Sequence, residues 1–434
     1  MSLSAQHRFR SFLPASLFPV AIAGMAAALL AAPAVRWIDD RTRWTLLGIG
    51  ADGARAVLGA LSASLLTFIV FVFSTLLLVV QVAGAQLSPR VVARVFERPL
   101  TKLTLAAFVF SFTYSLAALG RVEDPVPQLP VLLAILSSLA GVALFLFLIQ
   151  SACLGFRPIS VLTRVGEETR EAIETIYPHP FPRSEGTPAE PAPGLPPDAK
   201  TIVHHGKPGV VLAFDAAGLT QLAVAAGCVV VLVPQVGDFV AAGDELFRLH
   251  GSGAAAADAG ALSQCVALGP ERSLGGDPAF GVRIIVDIAI KALSPAINDP
   301  TTAVLAIDQL SHLLRLLGSR RLDSGVVRDE AGQVLLRYRT PGWEDFVALA
   351  VTEIRLCAGT SVAVYRRLQA MFDHLVLVLP EERAALLREE ALLMHRTVER
   401  SLDDPTDRAL AVVGDLQGLG SPVRISAPEA GPAR

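Results

Sequence analysis

The fold of this chain is decided by one uncharged run at residues 56–89, AVLGALSASLLTFIVFVFSTLLLVVQVAGAQLSP. The run has 34 residues, and as an α-helix it would be about 51 Å long at 1.5 Å per residue. The hydrocarbon core of a bilayer is only about 30 Å thick, and about 20 residues span it. The run therefore predicts a membrane helix that tilts strongly or extends beyond the bilayer.

Three further runs contain no Asp, Glu, Lys or Arg, and they lie at residues 11–35, 103–120 and 131–154. We therefore predict four transmembrane helices within residues 1–155. The first run has an alternative interpretation as a signal peptide, because Arg8 and Arg10 precede it and Ala32-Pro33-Ala34 resembles a cleavage site. Its 25 residues exceed the signal-peptide core of about 7–15 residues, which favours a retained helix.

Composition supports a membrane protein and excludes several other classes. The 434 residues are 52% hydrophobic and 18% charged, whereas soluble domains are about 25% charged. The net charge of −3 produces no positive electrostatic potential that would attract phosphate groups, so nucleic acid is not an expected partner. The four cysteines are far apart and form no CxxC motif, which excludes a disulfide framework and a structural zinc site.

Charges near the ends of the spans predict the orientation. Eight Lys and Arg residues lie on the side of the N-terminus and five on the other side. Basic residues concentrate in cytoplasmic loops, so we expect both termini in the cytoplasm. The first loop opposes this bias, although Asp39, Asp40 and Asp52 lie beside its arginines.

Polar residues recur at seven-residue intervals in the second span, at Thr67, Ser74 and Gln81. Seven residues make about two helical turns, so the three side chains share one face. Two interpretations are open: the face packs against another helix, or it lines a pore or cavity within the chain or at an oligomer axis. No Asp, Glu, Lys, Arg or His lies inside any span, so a proton relay within the membrane is not expected.

Beyond the last span we expect an exit helix and a proline-rich linker at residues 156–200, followed by a small β-barrel module at 201–270. The sequence Gly-Asp-x-Val-x-x-Gly-Asp-x-Leu at 237–246 resembles the hairpin of biotinyl and barrel-sandwich domains. No lysine lies between Pro208 and Ile290, so we expect a rigid module without a cofactor. The G-x-G-x-x-A pattern at 251–256 is a weak dinucleotide signal, and we interpret it as a loop.

Residues 271–420 are predicted to form a mainly helical cytoplasmic domain, ahead of a disordered tail at 421–434. Within it, a hairpin is expected at 325–340. Long helices are expected at 343–379 and 380–402, and a last one should start at Asp404-Pro405. No catalytic motif is apparent, so enzymatic activity is not expected. The overall prediction is an α+β membrane protein with four transmembrane helices, a barrel-sandwich-like barrel and a helical C-terminal part.

The densest group of polar residues lies at 283–300. Arg283, Asp287 and Lys291 follow each other at intervals of four, which predicts one ion-paired helical face. The remaining residues predict a turn in which one helix ends and the next begins with an aspartate cap: Ser294, Pro295, Asn298, Asp299 and Pro300. The alternative is a site for Mg²⁺ or Ca²⁺, whose oxygen ligands would come from Asp287, Asn298 and Asp299.

Several segments together resemble the bacterial predicted membrane proteins grouped as domain of unknown function 2254. They are Phe73 to Gln81; Gln86, Leu87, Ser88, Pro89 and Arg90 at the membrane exit; Gly237 to Asp244; Asp277 to Arg283; and Ala292 to Ala303. They occur in the family's order along most of the chain. The resemblance implies the bacterial inner membrane as the location and implies no activity.

These observations lead to one functional hypothesis and two rivals. The first is a homo-oligomeric inner-membrane channel or transport protein with a cytoplasmic regulatory domain. The second is a membrane-anchored scaffold or signalling module that binds a cytoplasmic protein partner and transports nothing. The third is a metal-dependent enzyme at Asp287, Asn298 and Asp299.

Overall fold

The computed structural model describes residues 18–42, 48–86, 99–155, 157–182, 198–272, 274–322 and 324–420. The chain divides into two compact units, a membrane unit that ends at Val161 and a soluble unit that begins at Leu162. The two units are described separately below.

Among its described residues, the membrane unit contains four helices that are long and apolar enough to cross a bilayer. They are α1 (Phe18–Thr42), α2 (Ala51–Gln86), α3 (Pro99–Leu119) and α4 (Gln128–Gly155). This confirms the predicted number and order of the spans. α1 continues through the Ala32-Pro33-Ala34 sequence that resembles a cleavage site.

Helix α3 is the centre of the bundle, because it packs against α1, α2 and α4. Small residues on α1 allow its backbone to approach that of α3 closely. A Cβ atom on Gly24 would lie 2.9 Å from the carbonyl oxygen of Ala106 on α3. Ala28 and Ala32 continue this buried face of α1. Packing of small residues is a common means of holding membrane helices together.

Hydrogen bonds join the loops at one end of the bundle. Arg36 pairs with Glu123 at 2.7 Å, and Arg55 donates to the carbonyl oxygen of Val122 at 3.2 Å. The buried Asp39 accepts from the backbone N–H of Leu129 at 2.9 Å and thereby caps the start of α4. Of the three aspartates in the first loop, Asp52 pairs with an arginine of that loop, Arg55, at 3.4 Å.

The soluble unit begins within an amphipathic helix, α5 (Pro158–Ile176), which starts three residues after α4 ends. Its Thr169 side chain lies directly against the backbone of Gly281. Tyr177 follows the helix and is only 3% exposed, with its ring edge-on to Phe346. Tyr177 is therefore packed, whereas Pro178, His179, Pro180 and Pro182 are exposed. Residues 183–197 of the expected linker lie outside the described residues.

In the described part of the chain, eight strands form two open sheets. They are β1 (Asp198–Val203), β2 (Gly209–Phe214), β3 (Val229–Leu232), β4 (Phe239–Val240), β5 (Glu245–His250), β6 (Val266–Gly269), β7 (Val326–Arg328) and β8 (Val334–Arg337). One sheet has the order β1-β5-β3-β8-β7, and the other has the order β4-β2-β6. β7 and β8 pair as the predicted hairpin, and β8 joins β3 in parallel.

The predicted β barrel is wrong, because neither sheet closes on itself. The physical reason is helix α6 (Ala216–Ala226), which separates β2 from β3. Asp215 caps its start by accepting from the N–H of Gly218 at 2.9 Å, and its Leu219 side chain is fully buried between the strands. The G-x-G-x-x-A pattern forms a short 3₁₀ turn after β5.

The remaining helices are α7 (Ala259–Gln264), α8 (Pro278–Leu293), α9 (Pro300–Gly318), α10 (Trp343–Cys357), α11 (Val362–Val378), α12 (Glu381–Ser401) and α13 (Pro405–Ala411). The single helix predicted at 343–379 is wrong. Gly359 adopts a φ of +56° between α10 and α11, a conformation that glycine tolerates and that ends a helix. The expected tail at 421–434 lies outside the described residues.

Candidate functional site

Helix α2 is much longer than a bilayer is thick. Its 36 residues make a helix of about 54 Å, against about 30 Å of hydrocarbon. Arg55 fixes its first turns to the loop between α3 and α4. Leu76 is the last residue of α2 in the apolar cluster with Phe108 and Phe145. The residues after Leu76 therefore extend past that cluster.

The polar residues Thr67, Ser74 and Gln81 are exposed on the outside of the bundle. The side of α2 that packs against α3 and α4 carries Leu65 and Val72, each two residues before a member of the polar row. Two residues correspond to about 200° of rotation, so the polar row points away from the chain's own helices. The row therefore packs against no described helix of its own chain, and packing against another chain and the lining of a pathway both stay open.

Hydroxyl groups in this part of α2 also bond to their own helix. Thr67 donates to the carbonyl oxygen of Ala63 at 3.2 Å, and Thr75 donates to that of Phe71 at 2.9 Å. This bond lowers the free-energy cost of placing a threonine in lipid, and the hydroxyl oxygen can still accept a hydrogen bond. The amide of Gln81 has two donors and an acceptor, so it gains most from a polar surface outside the bundle.

A second polar group lies inside the bundle and was not predicted from the sequence. Ser111, Tyr114 and Ser115 on α3 are 0% exposed, and their hydroxyl oxygens have no hydrogen-bond partner among the described residues. Ser62 and Ser138, by contrast, each donate to the carbonyl oxygen four residues earlier. The i, i+4 spacing of Ser111 and Ser115 was the signal that could have identified this group.

In the soluble unit, the predicted pair between Arg283 and Asp287 is present at 2.7 Å. Arg283 also pairs with Glu353 of α10 at 2.9 Å, a partner seventy residues away that the sequence did not indicate. The hydrogen bond from Arg283, and then its charge, lower the pKa of Glu353. Lys291 follows one helical turn after Asp287 on α8.

The segment after α8 is the predicted turn. The Ser294 hydroxyl donates to the carbonyl oxygen of Lys291 at 2.6 Å, and the exposed Pro295 follows. Asn298 adopts a φ of +48°, and Asp299 accepts from the N–H of Thr302 at 3.1 Å, with Pro300 at the first helical position of α9. These contacts give Asp299 a structural role as a helix cap.

The same contacts engage the two carboxylates considered for a cation, those of Asp287 and Asp299. Asp287 is held by Arg283, whereas Asp299 caps α9. Within the described ranges, no group of three or more His, Cys, Asp or Glu side chains is arranged to hold a metal ion.

Replacing Asp299 with alanine is expected to cost about 1 kcal/mol of unfolding free energy, the usual value of a helix cap. Asp299→Asn should retain most of the stability, because an amide oxygen also accepts from the helix N–H groups. Thermal unfolding of the two variants, with and without a chelator, checks this. A large loss in Asp299→Asn together with chelator sensitivity of the parent chain would instead support a cation site.

Of the residues expected at the membrane exit, Gln86 is the last residue of α2. Ser88, Pro89 and Arg90 lie outside the described residues.

Comparison with known proteins identifies the family. The model described as "Predicted membrane protein (DUF2254)" matches residues 14–374. The chain belongs to this family. The DUF2254 match covers the four spans, both sheets and the helices through most of α11, as the segments quoted from the sequence imply.

Two mycobacterial proteins are similar to this DUF2254 chain. "Uncharacterized protein Mb1321c" of Mycobacterium bovis and "Uncharacterized protein Rv1290c" of Mycobacterium tuberculosis are each 29% identical to it over 372 residues. The aligned region covers 83% of this chain and 71% of either relative. No solved structure shows a significant match.

Proposed function

We propose that this DUF2254 protein is a homo-oligomeric channel or transport protein. The observation that carries the proposal is the row of Thr67, Ser74 and Gln81 on the side of α2 opposite its packing face. The apolar chains of lipid offer such groups no hydrogen bonds. A second copy of α2, or water in a shared pathway, would supply them. The polar rows of several copies would then face a common axis.

The proposed location is the bacterial inner membrane, with both termini in the cytoplasm. The excess of Lys and Arg on the side of the N-terminus supports this orientation. It would place the soluble unit in the cytoplasm, where it would act as the regulatory domain of the channel.

The alternative is a membrane-anchored scaffold or signalling module with a cytoplasmic partner. Exposed leucines on the soluble unit favour it: Leu377 is 84% exposed, Leu416 78% and Leu419 80%. Large exposed apolar side chains are common at protein interfaces when they form a continuous patch.

Reconstitution of the full chain into liposomes distinguishes the two functions. The channel proposal predicts flux of a small ion above that of empty liposomes, together with a detergent-solubilised mass of several chains. A monomer that carries no flux and that returns one stoichiometric protein partner on affinity purification would establish the scaffold instead.

A further inference from the structure

The soluble unit contains a cleft of about 610 Å³ between β8, α8 and α10. Ligand pockets for small molecules have volumes of about 300–1,000 Å³. Four arginines and one aspartate line this cleft, namely Arg272, Arg283, Arg337, Arg339 and Asp345. The lining therefore carries a formal net charge of +3.

Arg272 is held in a fixed orientation at the cleft. Its guanidinium group donates to the buried Asp277 through Nε at 2.9 Å and Nη2 at 2.6 Å, and it lies over the ring of Phe280. Gly237 makes room for it: a Cβ atom there would lie 2.2 Å from Cζ of Arg272, and the φ of Gly237 is +94°. The segments Gly237 to Asp244 and Asp277 to Arg283, which resemble the DUF2254 family in sequence, therefore both contact Arg272.

Arg283 is also fixed, because it bridges Asp287 of its own helix and Glu353 of α10. The carboxylates that pair with Arg272 and Arg283 do not line the cleft. They hold the guanidinium groups in place, and such preorganised groups lose little conformational freedom when a ligand binds.

Arg337 and Arg339 supply the charge that is least neutralised. Arg339 lies 3.5 Å from Asp238, and both side chains are largely exposed, so this pair is weak. Among the described residues, no carboxylate lies within ion-pair distance of Arg337. Gln235 and Thr340 add uncharged polar groups to the lining, and the half-buried Tyr338 adds an aromatic ring. Phe346 also borders the cleft, but its ring is buried in the core against Tyr177.

We propose that this cleft binds a small phosphate-bearing compound with an organic group of nucleoside size. Arginine recognises phosphate through paired N–H groups in a planar fork, and the half-buried ring of Tyr338 suits a flat organic group. The inference rests on the cleft alone and is independent of whether α2 forms a pathway through the membrane.

Calorimetric titration of the full chain in detergent tests the site with three probes: pyrophosphate, ATP, and the short-chain lipid dihexanoyl phosphatidylglycerol. The double variant Arg337→Gln/Arg339→Gln should weaken binding of the preferred probe about tenfold or more, since it removes charge-assisted hydrogen bonds. Both arginines are exposed, so the variant should unfold at the temperature of the parent chain.

The matched control is Arg328→Gln, an exposed arginine on neighbouring β7 that does not line the cleft. It should change affinity less than twofold. Tighter binding of ATP than of pyrophosphate supports the proposal. Preference for pyrophosphate, or for the lipid, would contradict the assigned organic group and would leave a phosphate site of another kind. The proposal is overturned if no probe binds the parent chain at millimolar concentration, or if both variants change affinity equally.

Discussion

Replacing Thr67, Ser74 and Gln81 together with leucine is expected to reduce ion flux through the reconstituted protein to the level of empty liposomes. The three side chains lie opposite the packing face of α2, so the change leaves the core of each bundle intact. Leucine offers no hydrogen bonds to water or to a passing ion, and an apolar constriction excludes water. Flux measured with an ion-sensitive dye checks the result.

The control for this variant is Ser137→Leu on α4. Like Thr67, Ser137 donates to a carbonyl oxygen of its own helix, that of Ala134 at 3.1 Å. The control therefore removes a similar polar group from a different helix. Ser137→Leu should retain full flux, and both variants should keep the oligomeric mass of the parent chain. Unchanged flux in the triple variant would contradict the assignment. If Ser111→Leu alone then abolished flux, the pathway would lie inside a single bundle.

The second large effect is expected at Arg366 of α11, the largest fully buried side chain of the described residues. Its Nε donates to the carbonyl oxygen of Val413 and its Nη1 to that of Gly420, both at 3.1 Å. Replacement with methionine would leave these two oxygens without their charged donor. We expect a loss of about 3–5 kcal/mol, because each of the two hydrogen bonds from a charged donor contributes about 1.5–3 kcal/mol.

Hydrogen exchange of the full chain in detergent measures this loss of stability in the segment that Arg366 contacts. Amides of the segment after α13 should exchange about 100-fold faster or more in Arg366→Met. Among these amides, Gly418 and Gly420 donate to the buried Asp415. Arg388→Gln is the control, because Arg388 pairs with Glu381 at an exposed site and such pairs contribute about 1 kcal/mol or less. Equal exchange in the two variants would show that Arg366 does not hold this segment.

The elements that the sequence predicted correctly depend on interactions between near neighbours in the chain. An uncharged run of about 20 residues is sufficient for a membrane helix, and all four runs form one. The cap at Asp299 involves Pro300 and Thr302, which immediately follow it. Lengths, caps and turns of this kind are encoded locally, so periodicity and residue type identify them.

The features that the sequence did not predict depend on partners that are distant in the chain. β3 at 229–232 pairs with β8 at 334–337, and no pattern within either strand specifies that partner. The pair between Arg283 and Glu353 has the same origin. Likewise, Ser111 and Ser115 are buried because α1, α2 and α4 surround α3. The hydropathy of α3 alone does not reveal which of its residues these helices cover.

Thiol labelling of Ser74→Cys distinguishes a polar row of α2 that faces a pathway filled with water from one that faces lipid. The four native cysteines are first replaced with serine, and the reconstituted variant is treated with a charged methanethiosulfonate reagent that does not cross membranes. Leu139→Cys on the exposed face of α4 is the lipid-facing control. If the row faces water, Ser74→Cys reacts and loses flux while Leu139→Cys does neither. Equal resistance of the two variants to the reagent would show that the row faces lipid.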